Sequence, residues 1–266
     1  MIIIKIGGGQ AIRENLDNIL KDFAQLSGEK LIVHGANHEM KEISQKLGKE
    51  QRIVTSPSGY TSRYTDRETL EIFMMVYAGV ANKRIVEKLQ QFGVNAVGIS
   101  GVDGKLLQGK RKPSVRIVEE GRTKILHDDY TGKVERANTQ LLRLLLDNGY
   151  VPVICPPVLS YENEAINVDN DRIIAVLAEA LAPDTIINLF EAPGLLRDHT
   201  DEKSLITHIY AASLDDAMDY AEGRMKKKIL GTRETLAAGA KKIIFADGRT
   251  KTPIANALAG KGTTIA

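Results

Sequence analysis

The sequence predicts an α/β protein with a mainly parallel sheet and helices on both of its faces. Three observations carry this. Six apolar runs of strand length recur along the 266 residues: "MIIIKI", "EKLIVHG", "NAVGIS", "YVPVICPPVL", "TIINLF" and "KKIIFADG". Segments with helical spacing of apolar residues separate them, and that alternation builds parallel sheets. Two of the runs end in small-residue turns, "GGG" and "HGAN", that open directly onto a helix.

The elements follow in order. After Gly9, residues Ile12, Leu16, Ile19, Leu20, Phe23 and Leu26 fall at helical spacing. The second strand leads into "HEMKEISQKLG", a helix capped by Asn37 and stopped by Gly48. The longest helical stretch is "TDRETLEIFMMVYAGVANKRIVEKLQQFG"; Thr65 and Glu68 form a capping box at its start, and Gly93 closes it. "KLLQGKRKPSVRIVEEGRTKILHDD" breaks the alternation and predicts two or three short antiparallel strands with turns at Gly109 and Gly121. Helical patterns resume in "GKVERANTQLLRLLLDNG", "VDNDRIIAVLAEAL" and "LDDAMDYAEGRMKKKILGTRETLAAGA". A lobe boundary is expected near Asn167 to Asp171, dividing 1–168 from 169–266.

Composition narrows the function classes. The chain is 43% hydrophobic and 26% charged, enough to bury a core in one large domain or two lobes. A net charge of +2 gives no pull toward nucleic acid, and few aromatics with no tryptophan disfavour base stacking. No apolar run reaches the roughly 18 residues of a membrane span, and the apolar start is too short for a signal peptide. A soluble cytoplasmic protein is expected. The single cysteine, Cys155, excludes an internal disulfide and is expected to be a buried strand residue. His34 and His38 lack partners at metal-ligand spacing and are expected to be structural.

The first glycine turn admits two readings. Gly7, Gly8 and Gly9 could bring N–H groups close to a phosphate at a helix start, or could simply make a tight turn. It is not a dinucleotide fingerprint, because the third glycine position is Ile12. It is not a P-loop either, since G-x-x-x-x-G-K-[ST] occurs nowhere. Lys5, on the strand just before the turn, can point along the strand toward a bound phosphate. The second turn, with Gly35 and Ala36, would open on the same sheet edge, where ligands of open α/β sheets bind.

The order of motifs is more specific than any one of them. "KIGGG", "VHGAN", "SRYTDRETL", "GISGVDGKL", "AINVDND", "EAPGLL" and "GRMKKK" follow one another nearly end to end. This order resembles the amino acid kinase family, in particular its N-acetylglutamate kinase branch. "DRETLEIFMMVYAG", "SYENEAIN" and "GRMKKK" are similar to a subset of that branch. Those enzymes act on 2-aminoadipate or glutamate joined through the amino group to a small acidic carrier protein, LysW, in lysine and sometimes arginine biosynthesis. The resemblance implies a three-layer α/β/α sandwich, ATP with Mg²⁺ carried mainly by its phosphates, and a homodimer built on the helix near 66–92. It implies an amino-acid-substrate lobe at 1–168 and a nucleotide lobe at 169–266. The chain begins almost at its first strand, without the extra N-terminal helix of arginine-inhibited relatives, so neither hexamer nor that feedback is expected.

The resemblance also implies residue roles. Lys5 and Lys228 stabilise the transferring phosphoryl group from its two sides, and Asp171 holds both lysines in place. Gly7, Gly8 and Gly9 surround the nucleotide phosphates, and Gly35 and Ala36 lie near the attacking carboxylate. Arg63 and Asn167 bind the α-carboxylate end of the substrate. Lys228 has Lys226 and Lys227 beside it, so its alignment could shift by one. Two departures stand out. Ala36 and Asn37 replace glycines common in the branch, and alanine restricts positive φ; Phe190 and Glu191 replace a small hydroxyl residue and an Asp or Asn. Lys110, Arg111 and Lys112, with Arg116, form a local basic cluster suited to an acidic carrier. The alternatives are a kinase of free N-acetylglutamate and a non-catalytic amino-acid sensor on the same fold.

Overall fold

A computed structural model describes residues 1–214, 218 and 224–266, with the backbone alone at Arg224 and Lys227. The chain runs β1 (Ile2–Ile6), α1 (Gln10–Glu14), α2 (Leu16–Ala24), β2 (Lys30–His34), α3 (Asn37–Lys46), β3 (Ile53–Thr55) and β4 (Thr61–Arg63). One long helix follows. It is α4 (Arg67–Met74) and α5 (Asn82–Gln91), joined by a π-helical segment at Met75–Ala81. Then come β5 (Ala96–Gly101), β6 (Leu107–Arg111), β7 (Val115–Glu119), β8 (Arg122–Leu126), β9 (Gly132–Ala137), α6 (Thr139–Asp147), β10 (Val151–Ser160) and β11 (Ala165–Ile166). The last part holds α7 (Asn170–Leu181), β12 (Thr185–Phe190), β13 (His208–Ile209), α8 (Arg224–Ala237), β14 (Ile243–Asp247), α9 (Pro253–Leu258) and β15 (Thr263–Ile265).

Eleven strands form one sheet in the order β13-β15-β14-β12-β1-β2-β10-β6-β9, with β5 and β11 also paired to β10. Its centre, from β14 through β12, β1 and β2 to β10 and β5, is parallel. Antiparallel pairings enter at β15, β9 and β11. Side chains on β1 alternate between two cores, as the period of two requires. Ile3 packs with Leu142 of α6, Ile173 of α7 and Ile229 of α8. Ile4 and Ile6 pack with Phe23 of α2, Leu89 of α5 and Ile254 of α9. The sheet is therefore sandwiched between two helical layers, and Lys5 shares the face of Ile3, under α7. A third cluster of Met40, Leu70, Phe73 and Tyr77 fastens α3 to the long helix. A second sheet, β4-β3-β7-β8, is antiparallel throughout and buries Val54 and Ile117 on one side.

All six predicted strands are present, and several local expectations are corrected. Gly109 is no turn: it lies inside β6 at an irregularity in the pairing with β9, where a Cβ would sit 2.0 Å from the Lys133 carbonyl oxygen. Gly121, at φ +73°, does make the β7–β8 turn. "GKVERA" is strand β9, not the start of a helix. The cap of the long helix is Asp66, whose carboxylate accepts from the Thr69 N–H at 2.8 Å, while Glu68 instead pairs with Lys49. Asn37 begins α3 but does not cap it. In the expected helical segment before α8, residues 215–217 and 219–223 lie outside the described residues. Among the described residues no helix is long and apolar enough to cross a membrane.

Candidate active site

β1 and β2 pair in parallel up to Ile6 and His34, so their turns open side by side. The Gly35 N–H donates to the Ile6 carbonyl at 2.9 Å, and the His38 N–H to the Gly8 carbonyl at 2.8 Å. The two turns touch. A Cβ on Gly8 would lie 2.5 Å from the Asn37 nitrogen and 2.6 Å from that of Ala36, both rigid backbone atoms. Among the described residues, the N–H groups of Gly8, Gly9 and Asn37 bond to no backbone carbonyl. Ala36 sits at φ −151°, a conformation open to any residue, so the alanine imposes none of the restriction expected from the sequence. Its side chain is buried against Met40, Leu70 and Phe73.

The charged groups meet on the α7 face. Lys5 is only 6% exposed, and its ammonium donates to the Asp171 carboxylate. Asp171 stands in the first turn of α7, where its N–H donates to the capping Asp169 carboxylate at 2.9 Å. Gly231 lets α8 approach: a Cβ there would lie 3.0 Å from that of Asp171. Lys228, almost one turn earlier, thereby faces the same carboxylate, with its ammonium 5.3 Å from the centre of the Phe190 ring. Burial pushes Lys228 down to about 8, with help from the Lys5 cation and against the pull of Asp171 and Asp169. Burial works to raise Asp171, but Lys5 and Lys228 overcome it and hold the carboxyl at about 2. Lys226 is exposed. Gly223 and the side chains of Arg224 and Lys227, from the "GRMKKK" motif, lie outside the described residues.

On the other side of the turns, Arg63 on β4 donates from Nη2 to Asn37 Oδ1 and from Nε to Gln51 Oε1, both at 3.1 Å. Asn37 Oδ1 also accepts from the Tyr77 hydroxyl at 2.8 Å. Asn167 donates from Nδ2 to Thr65 Oγ1 at 3.1 Å, and its carbonyl accepts from the Gly132 N–H at 2.9 Å. Lys5, the three loop glycines, Gly35, Arg63, Asn167, Asp171 and Lys228 all line one cleft of about 510 Å³. The structure thus brings together every expected catalytic, phosphate-binding and substrate-binding residue except Ala36, which supports the turn from beneath. Asn37, Tyr77 and Glu191 were missed as site residues. Glu191 caps α1 across the cleft, accepting from the Ala11 N–H at 2.7 Å, and its carboxylate is so close that a Cβ on Gly9 would lie 2.4 Å away. Phe190 packs edge-on against Phe245 at 5.7 Å.

The basic cluster divides. Arg111 lies 3.8 Å over the Tyr130 ring, pairs with Glu164 at 3.1 Å and donates to the Asp129 carbonyl, so it is held in place and is not a free docking cation. Lys110 is exposed and stands directly opposite Lys133 on β9. Lys112 is exposed at the cleft. Arg116 is exposed on β7. His34 and Cys155 are fully buried, and burial pushes the thiol up to about 12. His38 lies 3.3 Å from Glu42. Among the described residues no group of three or more His, Cys, Asp or Glu gathers around a cation position.

The model of the amino acid kinase family matches residues 1–247. The chain belongs to that family. Within the amino acid kinases it is 51% identical over 268 residues to the LysW-aminoadipate kinase of Deinococcus radiodurans, covering all of this chain and 91% of that one. It is 47% identical to the LysW-aminoadipate kinase of Thermus thermophilus, with full coverage of both. A LysW-aminoadipate/LysW-glutamate kinase of Sulfolobus acidocaldarius is 34% identical, again over both full lengths. Among solved structures, N-acetylglutamate synthase from Neisseria gonorrhoeae matches with a TM-score of 0.79 at 22% identity; this chain spans 59% of it. Carbamate kinase from Giardia lamblia matches at 0.69 and 14% identity over 97% of its length. These two establish the shared amino acid kinase fold.

Proposed function

We propose that the protein transfers the γ-phosphoryl group of ATP to the side-chain carboxylate of L-2-aminoadipate carried on a LysW-like protein, giving an acyl phosphate and ADP. Carrier-linked glutamate is the expected second substrate, since one methylene discriminates by only about 1–3 kcal/mol. The observation that carries this reading is Lys5 and Lys228 converging on Asp171 beside two glycine turns, in a chain with near-half identity to LysW-aminoadipate kinases over its full length.

A carboxylate with an ordinary pKa of about 4.3 is already ionised at neutral pH, so no general base is needed. The obstacle is repulsion between an anionic nucleophile and a polyanion. The site answers with cations and N–H dipoles aimed at the transferring group. Asp171 holds the two ammonium groups close together before substrate arrives. Lys5 then serves the phosphoryl group from the sheet, and Lys228 from α8. Gly7, Gly8 and Gly9 surround the phosphates, Gly35 lies beside the attacking carboxylate, and Arg63 and Asn167 orient the substrate's α-carboxylate end. Mg²⁺ bound to the ATP phosphates supplies further charge neutralisation. We place the nucleotide in the half after residue 168 and the amino acid in the half before it. The reaction belongs in the cytoplasm, where ATP is available.

The carrier docks where Lys110 and Lys112 stand beside the cleft. Lys110 and Lys133 put two exposed cations opposite one another across β6 and β9, and Glu135, 3.6 Å from Lys110, neutralises only part of that charge. An acidic partner is drawn to the remainder, which speeds encounter. We also propose a homodimer through the outer face of the long helix, where Met75 and Val80 are 53% and 42% exposed. The decisive assay compares ATP turnover with LysW-linked aminoadipate, LysW-linked glutamate and free N-acetylglutamate. Turnover of the first is expected. Preference for free N-acetylglutamate overturns the carrier, and absence of any ATP turnover makes the chain a sensor. The double variant Lys110→Glu, Lys112→Glu is expected to raise KM for the loaded carrier about tenfold and to leave KM for ATP unchanged.

A further inference from the structure

The π-helical segment Met75–Ala81 places side chains where an α-helix could not. Tyr77 and Asn82 are five residues apart, and at 3.6 residues per turn they would point about 140° apart. In a π-turn, bonded i to i+5, they fall near one another on the same face. Both are buried, at 3% and 1% exposure, and both reach the turn His34–Asn37. The Tyr77 hydroxyl donates to Asn37 Oδ1 at 2.8 Å, just after the turn. The Asn82 amide meets His34 Nε2 at 3.1 Å, just before it.

The protonation of His34 follows from its partners. Asn82 Nδ2 donates to the Val153 carbonyl at 2.9 Å, and Asn82 Oδ1 faces the Lys83 ammonium at 3.3 Å, which fixes the amide's orientation. The second amide N–H lies between His34 Nε2 at 3.1 Å and Cys155 Sγ at 3.7 Å; the imidazole nitrogen is the nearer and stronger acceptor, so it takes this N–H. The ring proton sits on Nδ1, 3.3 Å from the Gly35 carbonyl oxygen. Burial pushes His34 down to about 4, assisted by Lys83, so the ring is neutral around pH 7. With the Gly35 carbonyl drawn to the imidazole, planarity of the peptide directs the Ala36 N–H the opposite way, toward the Tyr77 hydroxyl oxygen. The Ala36 nitrogen is one of the two atoms lying against Gly8. The His34 carbonyl accepts from Asn170 Nδ2 at 3.1 Å, one residue before Asp171, so the turn is also tied to the phosphoryl side.

We propose that the π-helical segment is a clamp on the second glycine turn, gripping it through Asn82 on His34 and through Tyr77 on Asn37. Asn82, His34 and Tyr77 are then positioning residues that fix the Gly35–Ala36 peptide, and with it the turn beside the attacking carboxylate. This rests on the reading of that turn as the acceptor-side wall.

Two measurements test it. Imidazole ¹⁵N spectra of the histidine-labelled free protein at pH 7, with His34 assigned through His34→Gln, should show Nδ1 protonated and Nε2 bare. That preference should disappear in Asn82→Leu. Steady-state kinetics of Asn82→Leu and Tyr77→Phe should show kcat reduced roughly tenfold to a hundredfold, with KM for ATP little changed. A protonated Nε2 in the wild type overturns the proposal. So does a wild-type kcat in both variants, including the case where only their melting temperatures fall. Tyr77→Phe is the milder change and decides the kinetic arm if Asn82→Leu does not fold. The spectra need no substrate, so they judge the clamp even if loaded carrier is not phosphorylated.

Discussion

Lys228 is the residue whose charge matters most to pH. Free, it sits at about 8, so above that pH most molecules carry it neutral. An arriving triphosphate favours the charged form, so binding must take up a proton, and affinity must fall as pH rises through 8. Calorimetry of ATP binding at pH 8.5 in two buffers of different ionisation heat should show this uptake, and Lys228→Met should abolish it. Asp171 acts in the opposite sense. Its folded value of about 2 lies below the unfolded value of about 3.9, so its contribution to stability is complete above pH 4 and disappears as pH falls toward 2. Urea midpoints measured from pH 5 to 2 should fall less steeply in Asp171→Asn, whose kcat should drop by at least a hundredfold. Lys5, Asp171 and Lys228 were legible in the sequence because their chemistry dictates their types and their neighbours are distinctive. Asn37 was not, because a small polar residue before a helix ordinarily caps it; here its oxygen is taken by Arg63 and Tyr77. Arg111 was misjudged because sequence cannot show that Tyr130 and Glu164 already hold it.

At the level of elements, the abutting turns are the sensitive feature. Gly8→Ala would press a methyl group against two backbone nitrogens, at 2.5 and 2.6 Å. One turn must then move, and ATP affinity should fall at least tenfold, read by the same calorimetry. Ala36→Gly is the control. Its φ of −151° gains nothing from glycine, so kcat should stay near wild type while stability falls by about 0.5–1 kcal/mol. The glycine turns and the six strands were readable because runs of β-branched residues and clustered glycines have few other uses. The π-helical segment was invisible, since "MMVYAGVANK" satisfies an ordinary helical period. The β3–β4 hairpin escaped because Ile53, Thr61 and Ser62 are exposed there and supply no apolar alternation.

For the whole molecule, the proposed dimer supplies the test of the long helix. Replacing Met75 and Val80 together by glutamate puts two charges into the proposed contact. Light scattering should then report a monomer where the wild type gives a dimer. The layered architecture was foreseeable from the alternation of strands and helices, whereas the outer strands of the sheet, β9 at one end and β15 and β13 at the other, depend on pairings that local sequence does not specify. The segment Met75–Ala81 looks both inward, through Tyr77, and outward, through Met75 and Val80. A single-residue insertion or deletion between Met75 and Val80 would rotate one of those faces relative to the other. The length of this segment is thus fixed from two sides at once, and descendants of this chain should tolerate substitutions along it far better than any change in its residue count.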